Sequence, residues 1–563
     1  MGFTQSPPRL ENQYVDDRML RSSLARLLPP PLCERSSGEL EHLGELAAGE
    51  LFTLQQADRV NEPVLTQWDA WGERIDRIEL TPLWRRAAGL AAEHGLVATA
   101  YDSALGEYAR AVQMAKVYLF AASTDMYACP LAMTDGAART LLTADNRSLI
   151  DRAVPRLLSR DPACMWTSGQ WMTETTGGSD VGRSETEARC SEDGRWRLWG
   201  RKWFTSATTA EMAITLARPV DNPAGSRGLA AFYVETRDAE GRLQGLEVQR
   251  LKDKLGTRKV PTAELRLCGV HAIPLAGLDR GTRVIAPMLN VTRLWNSVTA
   301  LALMRRGIAL ARVYARQRVV FGARLVDKPL HRTTLGVLQA ELEASFQLVF
   351  RVVTLLGRVE AGTDADGDVA LLRLLTPIVK LLTGKQAVKV LSEVLEAFGG
   401  AGYVEDTGLP VLLRDAQVLP IWEGTTNVLS LDVIRALRDS DGLKRLQEEI
   451  DRALSGIGDE AWLPLTRMTH AAFDHALAWV SQATPEHLEA GARAFALTLG
   501  RATALALLIE HARWEEAVTG DGRAAAAARI FARSGIDLIV DDEEPTSVRR
   551  DLEALADDRR HAS

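Results

Sequence analysis

The chain has 563 residues, of which 46% are hydrophobic and 25% charged, with a formal net charge of −7 and a pI near 5.9. That length predicts about three or four domains, the composition is that of a soluble globular protein, and the acidic balance excludes nucleic-acid binding through overall charge. The five cysteines, Cys33, Cys129, Cys164, Cys190 and Cys268, are scattered and form no C-x-x-C pair. A disulfide framework or zinc site is therefore not expected, and a cytoplasmic location is.

Residues 1–75 are mixed, proline-rich and charged, and read as an N-terminal extension with short helices on the body. From Thr81 the pattern turns helical: Leu83, Ala87, Leu90 and Ala91 keep the spacing of one buried face, and Gly95 is a stop. Residues 76–165 form this N-terminal helical domain. The period then changes. Arg195 to Trp199 alternates after the Asp193-Gly194 turn, and residues 229–235 and 262–267 also read as strands. This places a β middle domain at 166–280. Long Leu/Ala/Val-rich helices return at 297–317, 329–358, 368–397 and 427–438, a helical bundle over 281–440. The tail, 441–563, is again helical, with charged residues from Asp541 onward expected to fray. The N-terminus lacks the basic-then-apolar pattern of a signal peptide, and no run reaches about 18 uninterrupted apolar residues. The longest apolar stretches, such as 502–509, read as core helix. The fold class is α+β, mostly α.

No G-x-G-x-x-G follows a strand, and neither G-x-S-x-G nor H-E-x-x-H occurs. The nine histidines show no metal-ligand spacing, so no metal is expected. Five other segments carry chemistry. Met172-Thr173-Glu174-Thr175-Thr176-Gly177-Gly178-Ser179-Asp180 can form a turn whose free N–H groups hold an anion, or simply a polar β-turn. Gly200-Arg201-Lys202-Trp203-Phe204-Thr205-Ser206 offers aromatics for a planar ring, or ordinary cross-strand pairs. Arg316-Gln317-Arg318-Val319-Val320-Phe321-Gly322 ends a helix, with Gly322 the expected cap. Phe398-Gly399-Gly400-Ala401-Gly402 permits close backbone approach. Ile421-Trp422-Glu423-Gly424-Thr425-Thr426-Asn427 sets one acid between an aromatic and a glycine. Glu423 is either a solvated residue or a buried base.

Taken in order, and with Leu251 to Lys259 between the second and third, these motifs resemble the acyl-CoA dehydrogenase flavoproteins. The resemblance covers roughly residues 75 to 440. Within that family the chain looks most like the AidB-like branch, which has a long N-terminal extension, tryptophan before the catalytic glutamate and an added C-terminal helical domain. The resemblance implies a helical N-terminal domain, a β-barrel or sandwich middle domain, a C-terminal four-helix bundle and an extra helical domain. It also implies FAD. Thr173 and Ser206 would bond the isoalloxazine edge beside Met172, Gly178-Ser179 would meet the pyrophosphate, and Phe204 and Trp422 would stand near the ring. Arg318, Phe321, Glu396, Gly399 and Gly400 would contact the FAD of a neighbouring subunit, and Thr425 and Asn427 the adenosine-diphosphate side. Members carry glutamine where Glu396 stands. Sites shared between subunits imply an oligomer, commonly a homotetramer.

By the same resemblance Glu423 is the base that takes the α-proton of an acyl thioester while a β-hydride goes to flavin N5, and Asn290 and Arg293 help bind substrate. A base for so weak an acid must be oriented and desolvated, and the enolate oxygen needs donors. Members with ordinary acyl-CoA activity often have Asp in place of Asn290. That departure and the bulk of Trp295 imply an altered channel. A second function follows from the AidB likeness: a DNA-associated flavoprotein protecting against alkylation damage. The tail argues against it, with 14 Arg and Lys against 22 Asp and Glu over 441–563, a local charge of −8. Such a surface repels DNA unless Arg435, Arg438, Arg445 and Arg452 gather on one face. The substrate expected is a small-molecule acyl thioester. No membrane is expected, and the electron acceptor stays open between an electron-transfer flavoprotein and dioxygen.

Overall fold

The computed structural model describes residues 5–439, 441–541 and 545–558. The N-terminal segment folds as helices Arg18–Leu27, Pro30–Ala48 and Glu50–Ala57. Asp17 caps the first, accepting from the Leu20 N–H at 2.9 Å. The same carboxylate takes the Arg305 guanidinium at 2.6 Å. Leu20, Leu24, Leu40 and Leu43 are at most 1% exposed. This segment is built into the main core. It also contains a hairpin, Val64–Trp68 with Arg74–Glu79, where only helices were expected. The run Arg74-Ile75-Asp76-Arg77-Ile78-Glu79 alternates, but its charges hid it as a loop. Those charges serve docking: Asp76 accepts from the Val248 N–H at 2.9 Å and Arg74 donates to the Val248 carbonyl at 2.8 Å. The hairpin thereby joins the β domain.

Helix Pro82–Glu93 buries Leu83, Ala87, Leu90 and Ala91 as the spacing requires, with Thr81 as its cap and Gly95 at φ +58° behind it. Helices Ala109–Phe120 and Ala128–Ala144 follow, the first buried along its whole length. The β segment then closes on itself. Met212–Pro219 pairs with Ala230–Glu235, which touches Ala263–Pro274, then Trp196–Thr205, then Glu187–Cys190, which returns to Met212–Pro219. Ser168–Trp171 and Leu246–Leu251 add to this ring. Closure removes the sheet edges, and Leu198, Phe232, Val248 and Leu265 fill the interior.

The bundle consists of Ala286–Gln317, Pro329–Ala361, Asp368–Ala397 and Thr426–Asp439. The expected cap at Gly322 is corrected: the helix stops at Gln317, and Phe321 (φ +47°) and Gly322 (φ +77°) form the two-residue turn of a small hairpin, Val319–Val320 with Ala323–Arg324. Two successive positive φ values match the twist such a turn needs.

Five further helices follow: Gly442–Ala453, Leu463–Gln482, Pro485–Thr519, Arg523–Ala532 and Pro545–Ala556. Pro485–Thr519 is, among the described residues, the one helix long and apolar enough to span a membrane, yet 83% of its apolar window is buried. Residues 502–509 at its centre are indeed core. The charged segment from Asp541 was expected to end in a frayed terminus; within it 545–556 is helical, and residues 542–544 and 559–563 lie outside the described set.

Candidate active site

The segment between helices Leu409–Ala416 and Thr426–Asp439 makes a sharp turn. Glu423 has φ +56° and Gly424 φ +105°. A non-glycine residue in the left-handed region costs about 1–2 kcal/mol, so contacts must hold it there. Three do. Lys380 Nζ donates to the Gly424 carbonyl at 2.5 Å, Arg293 Nε donates to the Glu423 carbonyl at 3.4 Å, and the Trp422 indole N–H donates to Asn296 Oδ1.

The turn leaves Glu423 half-buried, its carboxylate taken by two neutral donors. Thr292 Oγ1 donates to Oε2 at 2.7 Å and Gln170 Nε2 to Oε1 at 3.3 Å. Gln170 Oε1 is buried without a partner. Burial pushes the Lys380 ammonium down to about 7, against the attraction of Glu423. Arg293 is fixed by Asp432 at 2.8 Å, and Arg373 holds the other oxygen of Asp432 at 2.8 Å. Burial alone would raise the Asp432 carboxyl; the two guanidinium groups outweigh it and hold it below the usual range.

The barrel motifs assemble opposite. The Trp203 N–H donates to the Thr173 carbonyl at 2.9 Å. Beneath them Lys202 Nζ and Glu174 Oε1 form a buried pair at 2.7 Å. Thr173, Gly178 and Phe204 thus share one rim. A Cβ on Gly178 would stand 2.6 Å from Thr173 Oγ1, so a larger residue would have to displace that threonine side chain. Met172 is buried and Ser179 exposed on the same turn. Phe204 is 51% exposed, with Lys252 Nζ 4.8 Å from its ring. Ser206 Oγ lies 3.2 Å from Thr262 Oγ1. Cys129 stands between the two halves: burial pushes its thiol up to about 12, with Lys254 opposing, Glu423 adding and Ser206 hydrogen-bonded to it. Cys129 thus lies close to Ser206 and within electrostatic reach of Glu423.

Other expected residues lie elsewhere. Arg293 is near the start of helix Ala286–Gln317 and Arg318 just past its end, about 37 Å apart at 1.5 Å per residue. Phe321 is 98% exposed, and Glu396, Gly399 and Gly400 are exposed at the end of Asp368–Ala397. Thr425 and Asn427 are exposed at the entry to helix Thr426–Asp439. Asn290 is half-buried one turn before Arg293. Trp295 does not intrude on this space as expected: its indole N–H donates to Asp135 Oδ2 at 2.7 Å, within the buried network of Arg110 and Gln113.

Thr292, Gln170, Lys380, Asp432 and the Glu174–Lys202 pair were not singled out from the sequence. Lys380 carried a signal, a lone cation inside Thr376-Pro377-Ile378-Val379-Lys380-Leu381-Leu382. Gln170 carried none.

Family models match along most of the chain. They are the AidB N-terminal domain at 5–162, the acyl-CoA dehydrogenase middle domain at 169–270, the acyl-CoA dehydrogenase C-terminal domain at 279–438, and the acyl-CoA dehydrogenase 11 C-terminal domain-like model at 444–557. Acyl-CoA dehydrogenase family member 11 of Caenorhabditis elegans is 42% identical over 535 residues, covering 91% of this chain and 86% of the relative. The chain belongs to the acyl-CoA dehydrogenase family. The putative acyl-CoA dehydrogenase AidB of Escherichia coli is 33% identical over 414 residues, covering 72% of this chain and 74% of the relative. The crystal structure of C. elegans ACDH-11 in complex with C11-CoA superposes with a TM-score of 0.95 at 40% identity, covering 99% and 97% of the two chains. The fold is that of the family with the additional C-terminal helical domain, and the family's cofactor is FAD. The residues present fit such a group. A glycine at 178 packed closely on Thr173, the hydroxyls of Thr173 and Ser206, and a Gln170 oxygen with no hydrogen-bond partner among the described residues supply the donor and acceptor types such a group needs.

Proposed function

We propose that this protein oxidises an acyl thioester across its α and β carbons, with Glu423 as the base that removes the α-proton. The observation that carries the reading is the carboxylate of Glu423, held on a strained turn and hydrogen-bonded, among the described residues, by the Thr292 hydroxyl and the Gln170 amide. Among the described residues its hydrogen-bond donors are both neutral, and a base must be held in reach of the proton it takes. The backbone side of the turn is pinned separately by Lys380 and Arg293, so Glu423 can take a proton without its main chain moving. Bound FAD supplies the hydride acceptor. Thr173, Gly178, Ser206 and Phe204 are the residues we assign to hold it, with Met172, Ser179 and Trp422 beside them and Thr425 and Asn427 on the adenosine-diphosphate side. Asn290 and Arg293 are assigned to substrate.

The solved relative bound to C11-CoA supports a CoA thioester as the acyl carrier. We further propose a homotetramer in the cytoplasm. Phe321 is fully exposed on a turn with positive φ, and Arg318, Glu396, Gly399 and Gly400 lie too far along the bundle from Glu423 to serve the same cofactor copy. DNA binding ranks below dehydrogenation. Arg445 is engaged by Asp366, Asp441 and Glu448, Arg452 by Glu449 and Glu510, and Arg435 lies 3.8 Å from Asp432, so three of the four candidate phosphate ligands already face a carboxylate.

Anaerobic mixing with acyl-CoA esters of graded chain length tests the reading. Bleaching of the oxidised flavin by at least one ester, lost in Glu423→Gln, is expected. If no thioester bleaches it, or if Glu423→Gln bleaches as fast as the wild type, the assignment fails.

A further inference from the structure

The two donors on Glu423 are not equivalent. Gln170 Nε2 meets Oε1 at 3.3 Å through N–H groups that can only donate. Thr292 Oγ1 meets Oε2 at 2.7 Å, and its hydroxyl can both donate and accept. The same oxygen lies 3.2 Å from the Leu289 carbonyl, three residues back on helix Ala286–Gln317. A hydroxyl has one hydrogen, so Thr292 serves one of these acceptors at a time. Other helix threonines take the carbonyl: Thr376, Thr383 and Thr503 donate to the carbonyl four residues back, each at 2.7 Å. At Thr292 the short bond is the one to Glu423, and the bond to the carbonyl is the long one. The hydrogen therefore rests on the carboxylate, and the Leu289 carbonyl is the second place it can go. Thr292 is 3% exposed, and these two are its acceptors among the described residues.

The charge of Glu423 changes when it takes a proton, and the direction of this hydrogen bond then matters. A donor fixed on a carboxylate favours the charged form and opposes its protonation. Asp432, in the same site, is held that way by the guanidinium groups of Arg293 and Arg373, which have no acceptor to offer. A donor that can turn round carries no such penalty. Once Oε2 bears the proton, its O–H can point at Thr292 Oγ1 while the Thr292 hydrogen moves to the Leu289 carbonyl. Gln170 keeps its bond to Oε1 throughout, because the unprotonated oxygen of a carboxylic acid still accepts. Only O–H directions change; no bond within Thr292 breaks, and the heavy atoms stay in place.

We propose that Thr292 is a positioning residue for the base, its hydroxyl reversing with the charge of Glu423: it donates to the carboxylate before proton transfer and accepts from the acid afterwards, with the Leu289 carbonyl as the alternate acceptor. The inference rests on Glu423 being the base.

Anaerobic stopped-flow bleaching of the holoprotein tests this, with straight-chain acyl-CoA esters of graded length, C11-CoA among them. Thr292→Val, Thr292→Ser and Glu423→Gln are run beside the wild type. Thr292→Val exchanges the hydroxyl for a methyl of similar size. It should lower the limiting bleaching rate at least about tenfold, the size of one hydrogen bond to a charged group. The half-saturating ester concentration and the flavin content should stay near the wild-type values. Thr292→Ser, which keeps the hydroxyl, should recover most of the loss. Should the valine variant fail to hold flavin, Thr292→Cys, whose S–H is a weak donor, takes its place with the same expected loss. The sign of the change is decisive, because removing a donor that merely stabilises the carboxylate would leave a stronger base and faster bleaching. The proposal is overturned if the variant without the hydroxyl loses less than that or bleaches faster, or if Thr292→Ser fails to recover the rate, since packing would then account for the loss. Glu423→Gln separates the two readings. If it is slow while Thr292→Val is not, the Thr292 inference alone fails. If no ester bleaches the wild type, or Glu423→Gln bleaches at the wild-type rate, both fail.

Discussion

The turn at Glu423 and the C-terminal helices both bury charge, and they treat it in opposite ways. In the C-terminal module most of the buried ions among the described residues meet their opposites. Arg501 faces Glu341 across the bundle, Arg523 faces Glu343, and Arg351, Glu449, Arg452, Glu510 and Arg26 form one alternating chain. Around Glu423 the groups are left short. The carboxylate has neutral donors, Lys380 meets a carbonyl, and Gln170 Oε1 meets nothing. A charge-paired network fixes one geometry and fastens the module to the bundle. An under-satisfied cluster keeps a base available and a place for ligand atoms. The difference separates interface from chemistry more sharply than burial does.

Removing the base should have the largest effect. Glu423→Gln is expected to slow flavin bleaching by about 10²–10⁴-fold, the usual contribution of a positioned base, with flavin content unchanged; an effect below tenfold would place the base elsewhere. Breaking the module side comes next. Arg501→Met strands Glu341 and should cost about 3–5 kcal/mol, seen as a lower thermal midpoint. Pairing it with Glu341→Leu should restore most of that loss, because the stranded charge is gone. If the double variant is as unstable as the single one, packing and not charge holds the module.

Lys380→Met tests the brace under Glu423. The Gly424 carbonyl loses its donor, which should cost about 1–3 kcal/mol and lower the bleaching rate. The pH dependence adds a second readout. The folded Lys380 releases its proton near 7, whereas the unfolded side chain keeps it to 10.5. Between these values the unfolded chain binds more protons, so this residue makes stability rise with pH from 7 to 10.5. In Lys380→Met that rise should be absent from melting temperatures recorded across the window.

The smallest effect is at His511, whose imidazole burial pushes down to about 3 from 6.5. Below 6.5 the unfolded chain takes a proton that the folded one refuses, so stability falls as pH drops toward 3. At pH 5 the term is about 2 kcal/mol at 1.36 kcal/mol per unit. His511→Phe should flatten the acid limb of the stability profile by that amount and leave pH 8 little changed. An unaltered acid limb would show that His511 is not the group responsible.

Much of this protein was written in local pattern. The buried stripe of Leu83, Ala87, Leu90 and Ala91, the Asp193-Gly194 turn and the four long helices follow from side-chain periodicity and turn chemistry, which act over a few residues. Glu423 was legible because its motif is contiguous. The Arg74–Glu79 strand was not, since its charges are explained only by Val248 on another domain. Nor was the role of Trp295, which turns into the Asp135 network because two helices far apart in sequence bring them together.

The sequence by itself determined the order of helical and β segments, the family and the acid at position 423, because each rests on neighbours along the chain. Only the tertiary structure decided which side chains surround that acid. Gln170 and Thr292 are separated from it by 253 and 131 positions, and Lys380 lies 44 positions before Gly424. The same is true of Arg306, a cation like many others in the sequence until folding buries it against Phe52. Hydrogen bonding and desolvation are set by distance in space, and no local pattern of residues encodes them.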